Sequence, residues 1–136
     1  PYSYERRQGF LQFSNEKQLK HFTFEIEYNS PIEVKKHIVA GILDFHPDID
    51  GIFVADDLTA ILTKDICKRK KHNAKIIGYD GSEFVKNYVP DLPTIEQPIE
   101  EMANQAVDIL IKQINGDFTE AGKHIYLPVK LLDREK

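Results

Sequence analysis

Cysteine is almost missing from this sequence. Cys67 stands alone, which excludes an internal disulfide framework and a zinc site built on cysteines. Glycine is sparse as well, seven residues that do not cluster. The sequence has no GxxxxGK(S/T) phosphate loop, no GxGxxG turn, no GxSxG elbow and no HExxH pair. Apolar runs are short: Gly51 to Ala55 is far below the roughly 20 residues a membrane-crossing helix needs. No apolar signal-peptide core follows the first residues, Pro1 to Arg7. A basic excess is also lacking, with 18 Lys plus Arg against 22 Asp plus Glu and a formal net charge of -4. That balance argues against the chain as a whole being a nucleic-acid-binding module. The expectation is a soluble, cytoplasmic protein with no membrane partner, no cofactor, no metal and no catalytic residue: a binder, not an enzyme.

The 136 residues, 41% hydrophobic and 29% charged, suffice for one folded core. The spacing predicts a helix from Ser3, as N-cap, to roughly Leu19, with Phe10 and Leu11 on its apolar face. Phe22, Phe24, Ile26 and Tyr28 then alternate with polar residues, the pattern of an edge strand. Asn29-Ser30-Pro31 offers a cap and a first-turn proline for a helix striped by Val34, Ile38, Val39, Ile42 and Leu43. Gly51 to Ala55 reads as a strand covered on both faces, followed by a helix from Leu58 to Lys70. Lys75 to Gly81 reads as a further strand. A loop containing Pro90 and Pro93 leads to a short extended piece at Thr94-Ile95, then to a helix from Ile99 to Ile114 closed by Gly116. Ile125 to Leu132 reads as the last strand. Helices alternating with strands in this order define an α/β fold with a parallel sheet and helices on both faces.

In open α/β sheets ligands bind at the carboxyl ends of the strands, and two strands here end in acidic residues, Asp56-Asp57 and Asp80. A carboxylate at that edge accepts two hydrogen bonds from vicinal hydroxyls, as sugar binding requires, or holds Mg²⁺. The plainer role for Asp57 is to cap the helix that starts at Leu58. Arg6 and Arg7 lie in the first turn of a helix, where cations are disfavoured unless a ligand or carboxylate holds them. Solvation of both is the simpler account. Asp44, His46, Asp48 and Asp50 match no metal spacing, and Lys68 to His72 sits where a helix C-terminus favours cations. His21, His37 and His124 read as ordinary surface or packing residues.

Glu5-Arg6-Arg7-Gln8-Gly9-Phe10-Leu11, Asp50 to Ala60, Lys75-Ile76-Ile77-Gly78-Tyr79-Asp80-Gly81, Pro90 to Pro98, Met102 to Gly116 and Leu127 to Arg134 together resemble the LacI/GalR family of bacterial repressors. They occur in the family's order across nearly the whole chain. The resemblance implies a periplasmic-binding-protein-like effector domain, α/β with a doubly wound, mostly parallel sheet. It further implies a small sugar effector of sucrose, fructose or ribose type, a homodimer, and operator DNA contacted only through a headpiece outside these residues. By the same resemblance Arg6 forks onto ligand hydroxyls, Asp57 is the cleft carboxylate, Gln97 lies beside the ligand, Tyr28 stacks on it, and Asp80 contributes at lower weight. Residues 1–97 would belong to the C-terminal subdomain without its first strand. Residues 98–126 would return to the N-terminal subdomain, and 127–136 would lead back. The absent strand would lie between Phe22–Tyr28 and Gly51–Ala55, so their pairing would be restored by association or strand exchange, or by further chain. Pro93 departs from the family's threonine. The sugar receptor of a transport system shares the fold and differs by a secretion signal upstream. A phosphoacceptor receiver domain would need a lysine that no later strand supplies convincingly.

Overall fold

The computed structural model describes residues 2–133. These divide into two compact units, one reaching to Tyr79 and one starting at Asp80.

In the first unit, α1 (Tyr2–Glu16) opens the chain, so Ser3 lies inside the helix instead of capping it. The helix stops before Leu19, with Gln18 in the left-handed region at φ 55. α2 (Ile32–Phe45), β1 (Gly51–Phe53), α3 (Asp57–Lys70) and β2 (Lys75–Asp80) follow. β1 and β2 are parallel, in the register Gly51 with Lys75, Ile52 with Ile76 and Phe53 with Ile77. The ladder is prolonged by Lys75 N–H to Asp50 O and Val54 N–H to Ile77 O. Val39 and Leu43 of α2, Ala60, Ile66 and Cys67 of α3 and Ile76 of β2 form the buried apolar layer.

Four expectations change here. Residues 21–28 are extended but form no strand, and Phe22, Phe24 and Tyr28 are exposed. Alternation makes a strand only where a ladder partner exists, and none is present among the described residues. β1 is only half covered, Phe53 being exposed, so its continuous apolar run does not correspond to burial on both faces. Pro31 is the N-cap of α2, one position ahead of the expected first turn, and no side chain caps this helix. The buried row of α2 is Lys35, Val39 and Leu43, so the stripe centres one residue away from Val34, which is exposed.

The second unit contains α4 (Glu83–Tyr88), β3 (Thr94–Glu96), α5 (Ile99–Ile114) and β4 (Lys130–Leu132). α4 stands where a plain loop was expected. Its cap is Ser82, whose hydroxyl accepts from Val85 N–H at 3.3 Å. The last strand is shorter than expected and pairs with β3 antiparallel, Thr94 opposite Leu132 and Glu96 opposite Lys130, so the strands are mixed in direction. Val85, Leu92 and Thr94 are the most deeply buried side chains of this unit. Arg134, part of the last resembling segment, lies outside the described residues. No helix among the described residues is long and apolar enough to cross a membrane.

Candidate functional site

Arg6 sits five positions along α1, on the turn that faces β1 and β2. Its guanidinium donates to the carbonyl of Ala55, just beyond β1, and lies 3.7 Å over the ring of Tyr79 on β2. Tyr79 in turn meets Phe53 edge-on, and Phe53 stacks on Phe10 one turn below Arg6. The chain Phe10–Phe53–Tyr79–Arg6 therefore fixes α1 to the carboxyl edge of the strands. A guanidinium held on a carbonyl and an aromatic face has its fork oriented before any ligand arrives. Arg7, its neighbour, points elsewhere, to Glu25 at 3.1 Å and Thr23 at 3.3 Å. An arginine pair that composition alone would leave solvated thus splits into one anchored and one surface residue.

The acidic pair after β1 also splits, against expectation. Asp56, in extended conformation, is the N-cap of α3 and its carboxylate accepts from Thr59 N–H at 2.7 Å. Asp57 is the first helical residue and is buried, 4% exposed. The structural duty of capping falls on Asp56 because a cap must lie outside the helix with its oxygen two or three residues from the donor. Asp57 is held against β2 by the absence of a side chain at position 78. A Cβ on Gly78 would lie 2.6 Å from Asp57 Oδ1 and 3.1 Å from the Ala60 methyl.

Asp80 and Gln97 come together in the second unit. Gln97 Nε2 donates to Asp80 Oδ1 at 2.9 Å, and Gln97 N–H reaches Asp80 O at 3.4 Å. Asp80 has φ 122, a backbone conformation rare for a residue with a side chain, and such strain persists only where neighbours over-determine it. Gly81 follows at φ 65, and a Cβ there would lie 2.5 Å from Glu96 Cα. Gly81 N–H is satisfied by the buried Thr94 hydroxyl at 3.3 Å. Lys86 of α4 adds an ion pair to Glu96 at 2.5 Å and one to Glu83 at 2.9 Å, and these two carboxylates, Glu96 first, raise the lysine's pKa.

Tyr28, the expected stacking residue, is 81% exposed. The Lys35 ammonium lies 5.3 Å from its ring centroid. Sequence reasoning passed over Lys35. Its signal was there, at four and eight residues before Val39 and Leu43 on one helical row, but a lysine in such a row reads as a surface residue.

The acidic loop residues have other work. Asp44 pairs with Lys70 at 2.6 Å, His46 packs on Phe22 at 4.2 Å, and Asp48 pairs with Lys20 at 3.4 Å. Its own backbone amide and the Lys20 ammonium hold the Asp48 carboxyl below its usual range. His21 meets the edge of Phe10.

An α/β unit that holds an anchored arginine and a buried carboxylate just beyond a parallel strand has the build of a small-ligand-binding domain. The family model for a periplasmic binding protein-like domain matches residues 1–135, and the chain belongs to that family. The resemblance to LacI/GalR regulators is borne out by its relatives. The sucrose operon repressor of Lactococcus lactis subsp. lactis is 42% identical over 115 residues, 85% of this chain and 36% of the relative. That of Streptococcus mutans is 38% identical over 134 residues, 96% of this chain and 40% of the relative. Among solved structures, a LacI-family regulatory protein from Chloroflexus aggregans superposes with TM-score 0.80 at 26% identity, covering 95% of this chain and 48% of its own. A LacI-type regulator from Alkaliphilus metalliredigens complexed with D-xylulofuranose gives 0.73 at 29% identity, covering 96% of this chain and 50% of its own. The chain therefore spans about two fifths of the repressors it matches.

Proposed function

We propose that this chain is the effector-sensing part of a LacI/GalR-type regulator of a carbohydrate operon. The observation that carries the reading is the pre-oriented Arg6 guanidinium, anchored on Ala55 O and Tyr79, at the edge where Asp57 is buried at the start of α3. Arg6 donates to sugar hydroxyls, and Asp57 accepts from a vicinal pair. Gln97 and Asp80, already bonded to one another, present a further donor and acceptor, and Tyr28 offers its face to a sugar ring. The ligand acts by binding one arrangement of a two-lobed domain better than the other; without that difference it could shift nothing.

Residues 1–97 are assigned to the C-terminal subdomain, 98–126 to the return into the N-terminal subdomain and 127–136 to the segment leading back. The protein carrying this chain is a cytoplasmic homodimer that contacts operator DNA through a separate headpiece and performs no catalysis. Support comes from the relatives, which are sucrose and ribose operon repressors. Calorimetric titration of the full-length protein with sucrose, fructose and ribose tests the reading. One of them is expected to bind, with Asp57→Asn and Arg6→Met each weakening it by about tenfold or more, the scale of a lost charge-assisted hydrogen bond. Full affinity in both variants would remove these residues from the site.

A further inference from the structure

Lys86 of α4 reaches two carboxylates of unequal standing. Glu83 lies on the same helix, 2.9 Å away, with its side chain 79% exposed. Glu96 lies on β3, 2.5 Å away, and here the lysine and glutamate side chains are only 23% and 29% exposed. An exposed pair within one helix is screened by water and contributes little. A partly covered pair between two elements is screened less, and it fixes where those elements stand. The effects on the lysine follow the same order: Glu96 first, then Glu83, raises its pKa.

Glu96 immediately precedes Gln97, whose amide donates to Asp80 Oδ1 at 2.9 Å. The stem of Glu96 lies on Gly81: a Cβ added there would meet Glu96 Cα, Cβ and Cγ at 2.5, 2.7 and 2.9 Å. Gly81 N–H donates to the Thr94 hydroxyl on the same strand. Ser82 then caps α4, and buried Val85 sets that helix into the unit. Residues 80–86 and 94–97, all in the second unit, thus close a ring of contacts. It runs from Asp80 through Gly81, Ser82 and Lys86 to Glu96 and Gln97, and back to Asp80.

The return link is not tight by itself, since Gln97 N–H to Asp80 O is long at 3.4 Å. The Asp80 backbone, at φ 122, also persists only because neighbours hold it. The Lys86–Glu96 ion pair ties the end of β3 to α4 across Gly81, and with it the root of Gln97. We propose that Lys86 is a positioning residue for effector binding: through Glu96 it sets the Asp80–Gln97 pair in the orientation that meets the sugar. Its ammonium is engaged by carboxylates, so its influence on the sugar passes through Gln97 and Asp80. This rests on the sugar-effector reading and adds to it a residue that sets affinity without touching the ligand.

The test is calorimetric titration of the full-length protein with sucrose, fructose and ribose, each variant being followed in parallel by urea unfolding. Lys86→Met and Glu96→Gln are each expected to weaken the sugar that the native protein binds by roughly three- to tenfold, the scale of one misplaced hydrogen bond. Lys86→Arg, which keeps the charge, should bind as the native protein does. The double variant should bind no worse than either single one, because both remove the same link. Glu83→Gln, which removes the exposed pair alone, should keep native affinity. A merely structural ion pair would lower the urea midpoint of Lys86→Met and leave its affinity unchanged; that result overturns the proposal while the sugar reading stands. Lys86→Arg binding as weakly as Lys86→Met, or additive losses in the double variant, overturn it as well. If Lys86→Met does not fold, Glu96→Gln decides, and native affinity there overturns the proposal. Binding of none of the three sugars by the native protein overturns the sugar reading and this proposal together.

Discussion

α3 and α5 are helices of similar length with opposite relations between pattern and burial. α5, with Met102, Val107, Leu110 and Ile114 in a row, has the stronger apolar face of the two, yet it buries no residue. α3 is a mixed sequence ending in Lys68-Arg69-Lys70, and it buries Asp57, Thr59, Ala60, Thr63, Ile66 and Cys67. Small side chains explain α3. Ala60 lies against Gly78, and the Thr63 hydroxyl is satisfied within the helix by Thr59 O at 2.8 Å, so no polar group is stranded. Amphipathicity thus measures what a helix needs to cover, while burial measures what its neighbours can approach closely.

The largest test of that contrast is a pair of substitutions in the 136-residue chain. Leu43→Ala, in the layer between α2 and α3, should lower unfolding stability by about 2–5 kcal/mol in a urea titration. Leu110→Gln on α5 should stay within about 0.5 kcal/mol. A loss at Leu110 as large as at Leu43 would mean that the α5 face is covered, and the contrast would fail. Next in size is the cap that starts α3. Asp56→Ala should cost about 1 kcal/mol by the same titration, whereas Asp57→Ala leaves the cap intact; reversal of the two capping roles would show as loss of α3 helicity only in the Asp57 variant. The smallest effect is past the end of α5. The backbone N–H and hydroxyl of Thr119 hold the Asp117 carboxyl below the usual carboxylate range. A folded value that is depressed adds stability above the ordinary value and loses it as pH falls through the folded one. Asp117→Asn should therefore lower stability slightly at neutral pH and lose that difference as pH falls below about 4, which flattens the acid limb of the profile, as a pH series of melting curves would report.

Much of this fold was legible where punctuation is strong. α5 begins and ends where Pro98 and Gly116 place it, and β2 follows its apolar run with Asp80 at its end. Legibility failed where a property depends on a partner. Phe22, Phe24, Ile26 and Tyr28 alternate as a strand should, but hydrogen bonding is a relation between two segments and one segment cannot reveal it. α4 was hidden by the prolines after it, although Ser82 as a cap was a usable signal. The candidates Arg6, Asp57, Asp80 and Gln97 came from motif order alone. Their local geometry was not legible there: the ring under Arg6 and the Asp80 carboxylate's bond to Gln97 depend on residues distant in sequence, and the transfer of capping to Asp56 depends on where the helix starts. Lys35 escaped because charge in an apolar row looks like noise until its burial is known.

Cys67 has one more consequence. It is the chain's only thiol, it is buried on α3, and burial pushes its pKa up. Thiolate reagents therefore meet a sulfur that is both covered and protonated, and they react only during excursions that open the layer around α3. The speed of alkylation then serves as a clock for those excursions, with every labelled molecule reporting a single position. Run with and without an effector, the same clock reads how far ligand occupancy quiets the interior of the domain.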